Sequence, residues 1–319
     1  MTSANARSGL RIRKIAAGNG ALGGLVVLVV ALSIVTPTFL SAQNLLNVGV
    51  QAAVVAVLAL GSTFVIISGG IDLSVGSVAA LSAMVGAWSS AEAGLPGPIS
   101  LLLGLATGVV AGLVNGALVS YGRLPAFIAT LAMLSVARGL TLVVSQGTPL
   151  ATPDVISFLG SNLGPYLPLP LLIMLLFFGL TALVLARTYS GRAMYAIGGN
   201  SEAARLSGID VRTQQLVIYA LCGLFAAVAG MMLAGRLSSA GPQAAIGYEL
   251  DAIAAVVIGG ASLSGGVGTA SGTLIGALVL AVLRNGLNQL QVSPFWQQVV
   301  IGVVIALAVL VDSLRRGSR

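Results

Sequence analysis

Residues 46–68 read LNVGVQAAVVAVLALGSTFVIIS, a run without one acidic or basic side chain. As an α-helix it would extend about 35 Å at ~1.5 Å per residue. That is enough for a hydrocarbon core of roughly 30 Å, which takes about 20 apolar residues. Inside lipid the backbone must satisfy its own hydrogen bonds, so a crossing run of this kind is read as a helix. Working outward, comparable runs lie at 17–36, 73–91, 99–120, 125–145, 169–186, 214–234, 248–264, 268–290 and 296–312. The prolines agree, because Pro breaks the helical ladder and belongs at span ends. Pro37, Pro96, Pro98, Pro125, Pro170, Pro242 and Pro294 lie at ends or connections, and Pro149, Pro153, Pro165 and Pro168 fall in the 146–168 loop.

Composition supports the same class. The chain has 319 residues, 57% of them hydrophobic and only 7% charged, against about 25% charged in a soluble domain. The absence of His removes the commonest metal ligand and proton shuttle, and the single Cys222 excludes an intramolecular disulfide and any multi-Cys metal site. Most enzyme classes are thereby set aside. The expected fold is all-α, a polytopic membrane protein of about ten transmembrane helices. The first run exceeds the usual 7–15 residue apolar region of a signal peptide and is read as a retained helix.

The bases orient the chain. Arg7, Arg11, Arg13 and Lys14 precede the first run, and Arg123 joins the fourth and fifth. Arg187, Arg192, Arg205 and Arg212 lie between the sixth and seventh, and Arg315, Arg316 and Arg319 follow the tenth. Cytoplasmic loops carry the excess of Lys and Arg, so both termini are expected inside. This gives a tail at 1–16, a permease domain at 17–312 with a cytoplasmic loop at 187–213, and a tail at 313–319. The net charge of +7 is then a topology signal rather than a sign of nucleic-acid binding. The eighth run is the weakest, since Gly259, Gly260, Gly265 and Gly266 interrupt it. A short crossing is preferred there to a broken or re-entrant helix, because a re-entrant one would move the C-terminal arginines outside.

Gly104, Gly108, Gly112 and Gly116 recur every fourth residue, as do Gly268, Gly272 and Gly276. Such stripes admit close helix contact, which would put both runs inside the bundle. Gly108-x-x-x-Gly112-x-x-x-Gly116-Ala-Leu-Val recurs from Gly268 with an offset of 160. The two runs have opposite senses, which suggests two inverted five-helix halves, a pattern usual in transporters. A second echo joins Gly69, Gly70, Asp72, Ser74 and Gly76 to Gly259, Gly260, Ser262 and Ser264. Its different offset marks two similar turns, able to bond a polar solute or simply to let helices approach.

Among charged residues, Asp72 either caps the third helix or marks a cavity or proton route, and Leu73-Ser74 after it favours the cap. Arg138 and Arg284 fall within runs, toward the outer half, where they either snorkel or take part in the solute path, and snorkelling is preferred. Glu249 and Asp251 are expected in solvent, capping the eighth helix or pairing with Arg236. The only lysine, Lys14, follows Arg13, so no Gly-Lys phosphate-binding loop exists and any ATPase must be another chain. In 187–213, Asn200 or Ser201 begins a short helix through Ser207 that Gly208 ends.

That loop resembles the ATPase-docking loop of ABC importer permeases. Glu202-Ala203-Ala204-x-x-x-Gly208 matches its core, and Ile218 follows after nine intervening residues. The Leu-Pro that often completes it is replaced by Tyr219-Ala220-Leu221. More of the chain is similar to the ribose-type, monosaccharide branch of the branched-chain amino acid/ribose permease superfamily. The similarity includes Gly69 to Ser77, Phe127 to Leu131 with Arg138-Gly139, Gly191-Arg192 through Ile209, Glu249 through Gly266, and Ser293 to Gln298. The resemblance implies a bacterial inner-membrane permease working with a cytoplasmic ATPase, which uses ATP and Mg, and a periplasmic or lipid-anchored sugar-binding protein. It also implies a second permease copy or paired relative, membrane lipid around the chain, and no cofactor bound by the chain itself. Arg192, Gly199, Asn200, Glu202, Ala203, Ala204 and Gly208 would couple to the ATPase. The competing reading is an ion-coupled secondary transporter, motivated by Asp72 and the inverted repeat.

Overall fold

A computed structural model describes residues 20–164 and 166–317, except the side chains of 308, 309 and 311–317. The four N-terminal bases and Arg319 lie outside the described residues. Each of the ten apolar runs holds one helix. These are α1 (Gly20–Val35), α2 (Ala42–Ile67), α3 (Val75–Ala91), α4 (Gly97–Ser120), α5 (Ala126–Ser145), α7 (Leu169–Arg187), α10 (Val211–Leu237), α11 (Tyr248–Ile258), α12 (Ala270–Gln289) and α13 (Pro294–Gly317). Three short helices lie between runs: α6 (Asp154–Leu159), α8 (Tyr189–Gly199) and α9 (Ser201–Leu206). A two-residue antiparallel pair, β1 (Leu150–Ala151) with β2 (Ser239–Ala240), closes one end of the bundle in the register Leu150↔Ala240. The last helix continues through Gly317, past the expected limit at 312.

Six helices, α2, α4, α5, α7, α10 and α12, are long and apolar enough to cross a membrane. The chain is a multi-pass helical membrane protein. Its centre is α2, buried at every position from Ala52 to Ile67, as expected of a helix apolar all round. The twin glycine stripes do not mark the centre. In α4 only the stripe side is covered, by α10 and α3, while Leu102, Val110 and Val114 face outward. The close approach itself is real: a Cβ on Gly108 would strike the Gly223 carbonyl and one on Gly112 the Tyr219 carbonyl, while Gly104 lies against Ser82 of α3.

The α12 stripe meets different neighbours. Gly272 and Gly276 lie on the carbonyls of Gly259 and Ala255 in and just beyond α11, while Gly268 precedes the helix and faces Ile67. Gly112 and Gly272 therefore meet helices that do not correspond, Gly112 facing α10 and Gly272 the end of α11. The neighbour pattern nevertheless pairs the same two helices, α4 with α12. Helix α10 packs on α4 and α3 while α2 packs on α12 and α11; α3 packs on α4 and α5 while α11 packs on α12 and α13.

The eighth run departs most from expectation. Helix α11 has 11 residues, about 16 Å long, and 259–268 is a turn with Gly260, Gly265 and Gly266 at positive φ. Helix α11 begins beside the C-terminal half of α12, since Tyr248 and Asp251 line a cleft with Ala277, Leu280 and Arg284. Helix α3 also begins inside the bundle: Ser74, Val75 and Val78 share a void with Gly223 and Ala226, midway along α10. The two helix starts touch, because Gly76 lies against the Ala245 carbonyl and the Glu249 carboxylate. Both are reached through non-helical chain, 68–74 and 238–247.

Candidate functional site

Two regions bring together the polar and turn residues that sequence points to. The first is the end of the bundle that carries α8 and α9. Asn200 caps α9, its Oδ1 accepting from the amides of Glu202 and Ala203 at 3.1 and 2.9 Å. Gly208 ends the helical turn at φ +86°, a conformation glycine adopts without steric cost. Ala204 is buried against Ala193 and Ile197 of α8, so α8 and α9 form one small unit. Its outer surface consists of Arg192, Gly199, Glu202, Ala203, Arg205 and Leu206, all exposed. Arg205 Nε donates to Glu202 Oε2 at 3.1 Å, and this charge-assisted bond holds the Glu202 carboxyl below the usual range.

This unit is fixed to the core where the two glycine turns meet. Gly266 N–H donates to the Ile67 carbonyl at 2.8 Å, across the end of α2. Gly198 fits between them, since a Cβ there would lie 2.5 Å from Gly266 N and strike the Ile67 carbonyl. The Tyr195 hydroxyl donates to Gly268 O at 2.8 Å. Gly69, at φ +85°, faces Gly198 and Ser264. In the second turn the Ser262 amide donates to Val267 O at 2.9 Å, and Ser262 Oγ accepts from the Ser264 amide. Gly259 packs on Gly272, whereas Gly260 is open. Sequence reading singled out Gly199 and missed Gly198, the residue at the contact. The run Ile197-Gly198-Gly199 gives no local signal to tell them apart.

The second region lies at the starts of α3 and α11. Asp72 is buried, and its Oδ1 accepts from Ser74 N at 2.8 Å and Ser74 Oγ at 2.6 Å. This is a turn preceding the helix; Ser74, not Asp72, occupies the N-cap position. Asn115 Nδ2 donates to Ser74 Oγ at 2.9 Å, and the Cys222 thiol lies beside Asp72. Gly70 faces the Tyr219 hydroxyl.

At the start of α11 Glu249 Oε1 accepts from the amide of Gly247, the N-cap residue, at 3.3 Å, whereas the expectation for Asp251 is corrected. Asp251 is 5% exposed, and its Oδ2 accepts from Arg284 Nη2 at 2.9 Å. It is neither in solvent nor paired with Arg236. The glycine contacts explain why: each step of four forward along α12, from Gly272 to Gly276, is a step of four back along α11, from Gly259 to Ala255. One further step sets Asp251 opposite Leu280, and a helical side chain leans toward its own N-terminus, so Arg284 reaches back to it. Arg138 does not snorkel either; its Nη1 donates to the carbonyls of Pro242 and Ala244 at 2.9 and 3.0 Å, holding the chain that leads into α11. Each charge at membrane depth costs about 2.5–3.5 kcal/mol on insertion scales, so the pairing offsets a large penalty.

The Asp251–Arg284 pair separates two clefts. One, of about 560 Å³, opens toward Phe295, Gln297 and Gln298 of α13. The other, of about 380 Å³, is bounded by Gln51 of α2 and Arg236 of α10. By contrast, the void at Asp72 has no room for a water molecule.

A multi-pass helical bundle with a short exposed helical unit at one end has a build that suits a transport permease. The chain belongs to the family described as branched-chain amino acid transport system / permease component, which matches residues 44–309. It is 46% identical over 297 residues to the ribose import permease protein RbsC of Escherichia coli K12, covering 92% of each chain. The ribose import permease protein RbsC of Bacillus subtilis 168 is 47% identical over 298 residues, 91% of this chain and 90% of that one. The xylose transport system permease protein XylH of Escherichia coli K12 is 36% identical, covering 86% of each.

Proposed function

We propose that this chain is the membrane-spanning permease subunit of an ATP-binding cassette importer that carries a monosaccharide, ribose or a related sugar, across the bacterial inner membrane. The observation that carries this reading is the near full-length identity to ribose import permeases. The α8–α9 unit supports it from the structure, since an exposed helix seated on the core turns suits a docking point for a separate ATPase. That partner binds ATP and Mg, and a periplasmic or lipid-anchored sugar-binding protein delivers the solute. A second permease copy or a paired relative completes the pathway. In this reading the chain crosses ten times, with both termini and the 187–213 segment in the cytoplasm, the side that the bases favour. The exchange of neighbours between α2 with α12 and α11, and α10 with α4 and α3, is what two inverted halves would produce. Alternating access then follows: closure of the ATPase dimer displaces α9, and α8 carries the movement to the ends of α2, α11 and α12.

The ion-coupled alternative rested on Asp72. Its enclosure, with Ser74 and Cys222 at the carboxylate and no space for water, argues against an ion or proton site there. Uptake of labelled ribose into proteoliposomes decides between the two. Uptake that requires the ATPase, its ATP and the binding protein supports the importer. Uptake driven by a proton or sodium gradient without the ATPase overturns it.

A further inference from the structure

The wider cleft at the start of α11 has the chemistry of a binding site for a polyhydroxylated ring. At its floor Arg284 spends one of its five N–H donors on Asp251. Asp251 Oδ1 accepts no hydrogen bond from the described residues. Gln298 and Phe295 on α13 are exposed, and Tyr248 and Asp251 flank the same space. Carboxylate, guanidinium and amide groups supply acceptors and donors for vicinal hydroxyls, and an aromatic ring supplies a face for the C–H side of a sugar. The volume, about 560 Å³, exceeds that of one monosaccharide.

A brace between α11 and α12 needs no charge at this place. The glycine contacts at Gly272 and Gly276 already hold the two helices together, and a buried ion pair is weak evidence for stability. We infer that the cleft between α11, Arg284 and α13 is a solute-contacting station of the permease. Asp251 and Arg284 there hydrogen-bond the hydroxyls of a neutral monosaccharide on its way through. The inference rests on the sugar-importer reading for its ligand class, and on the cleft and the pair for its location.

The test uses the whole importer, this permease with its ATPase and binding protein, in proteoliposomes. Labelled ribose uptake and ATP hydrolysis are measured together. Asp251→Asn is expected to lower sugar moved per ATP hydrolysed by tenfold or more, and Gln298→Ala by about threefold. The charge-swapped double variant Asp251→Arg with Arg284→Asp keeps an ion pair between the helices and is expected to remain defective. Recovery of uptake in the swap assigns the pair to bracing and overturns the inference, as does unchanged uptake per ATP in both Asp251→Asn and Gln298→Ala. Gln298 is exposed, so Gln298→Ala carries the test should Asp251→Asn fail to fold. If uptake and hydrolysis fall in parallel in Gln298→Ala, the residue serves coupling and the inference is overturned. An unmodified importer that moves no monosaccharide overturns the sugar-importer reading itself, an outcome separate from those of the variants.

Discussion

The Tyr195 hydroxyl donates to the carbonyl oxygen of Gly268 at 2.8 Å, tying α8 to the chain just before α12. Tyr195 stands on the helix that also carries α9, so this bond is a direct mechanical link from the exposed unit to the core. Tyr195→Phe removes one hydrogen bond, a change of about 0.5–1.5 kcal/mol, and leaves the ring in place. The expected outcome is a near-normal melting temperature with a severalfold loss of sugar transported per ATP hydrolysed in the reconstituted importer. A loss of stability with unaltered coupling would assign the bond to folding alone.

Gly198 and Gly199 give a neighbouring pair with opposite expectations. A methyl group on Gly198 meets backbone atoms of Ile67 and Gly266, which cannot rotate away, whereas one on Gly199 meets nothing within 4 Å. Gly198→Ala is expected to lower stability by about 1–3 kcal/mol, the usual cost of overpacking, and Gly199→Ala to be nearly neutral. The same contrast should hold between Gly112→Ala, against the Tyr219 carbonyl, and Gly139→Ala, which faces open space. Thermal unfolding of the four purified variants in detergent measures the difference.

These contrasts show what the amino-acid pattern could and could not reveal. Each of the ten runs holds a helix, six of them long and apolar enough to cross, because an apolar window signals a helix in a membrane without reference to its neighbours. The cap at Asn200 and the terminus at Gly208 were equally legible, since both act on amides within three residues or on a local φ. Burial was not. The stripe in α4 resembles that in α12, yet one faces α10 and the other α11, and nothing local encodes the partner. The pair Asp251–Arg284 was hidden for the same reason: the residues are 33 positions apart, and their meeting depends on the register that Gly272 and Gly276 impose. The half-length of α11 was signalled only by its glycines, which fit a weak span as well as a turn.

Asn200 supports α9 from a single side chain. Asn200→Ala removes both hydrogen bonds to the Glu202 and Ala203 amides and should cost about 1 kcal/mol, the usual worth of an N-cap. A six-residue helix has little cooperativity of its own to absorb that loss. Faster amide exchange confined to 200–207, with the rest of the chain unchanged, is the expected result. Asn200→Asp, which restores an accepting oxygen, should return protection to near its original level. Exchange that quickens across α10 as well would mean that Asn200 stabilises more than this helix.

Cys222 makes the topology testable with little background. It is the only cysteine in the chain and is 1% exposed within α10, so a membrane-impermeant maleimide should label the native protein slowly. Single cysteines can then be read against that silence. Ser207 is exposed beyond α9, and Glu92 is exposed at the far end of α3. With the 187–213 segment cytoplasmic, Glu92→Cys should label from outside on intact cells or spheroplasts, and Ser207→Cys only after the membrane is opened. The reverse pattern would invert the bundle and put α9 out of reach of any cytoplasmic ATPase. Labelling of both from one side would mean that the chain between them crosses an even number of times. Helices α4, α5 and α7 lie on that path, each long and apolar enough to cross, so such a result would require one of them to turn back within the membrane.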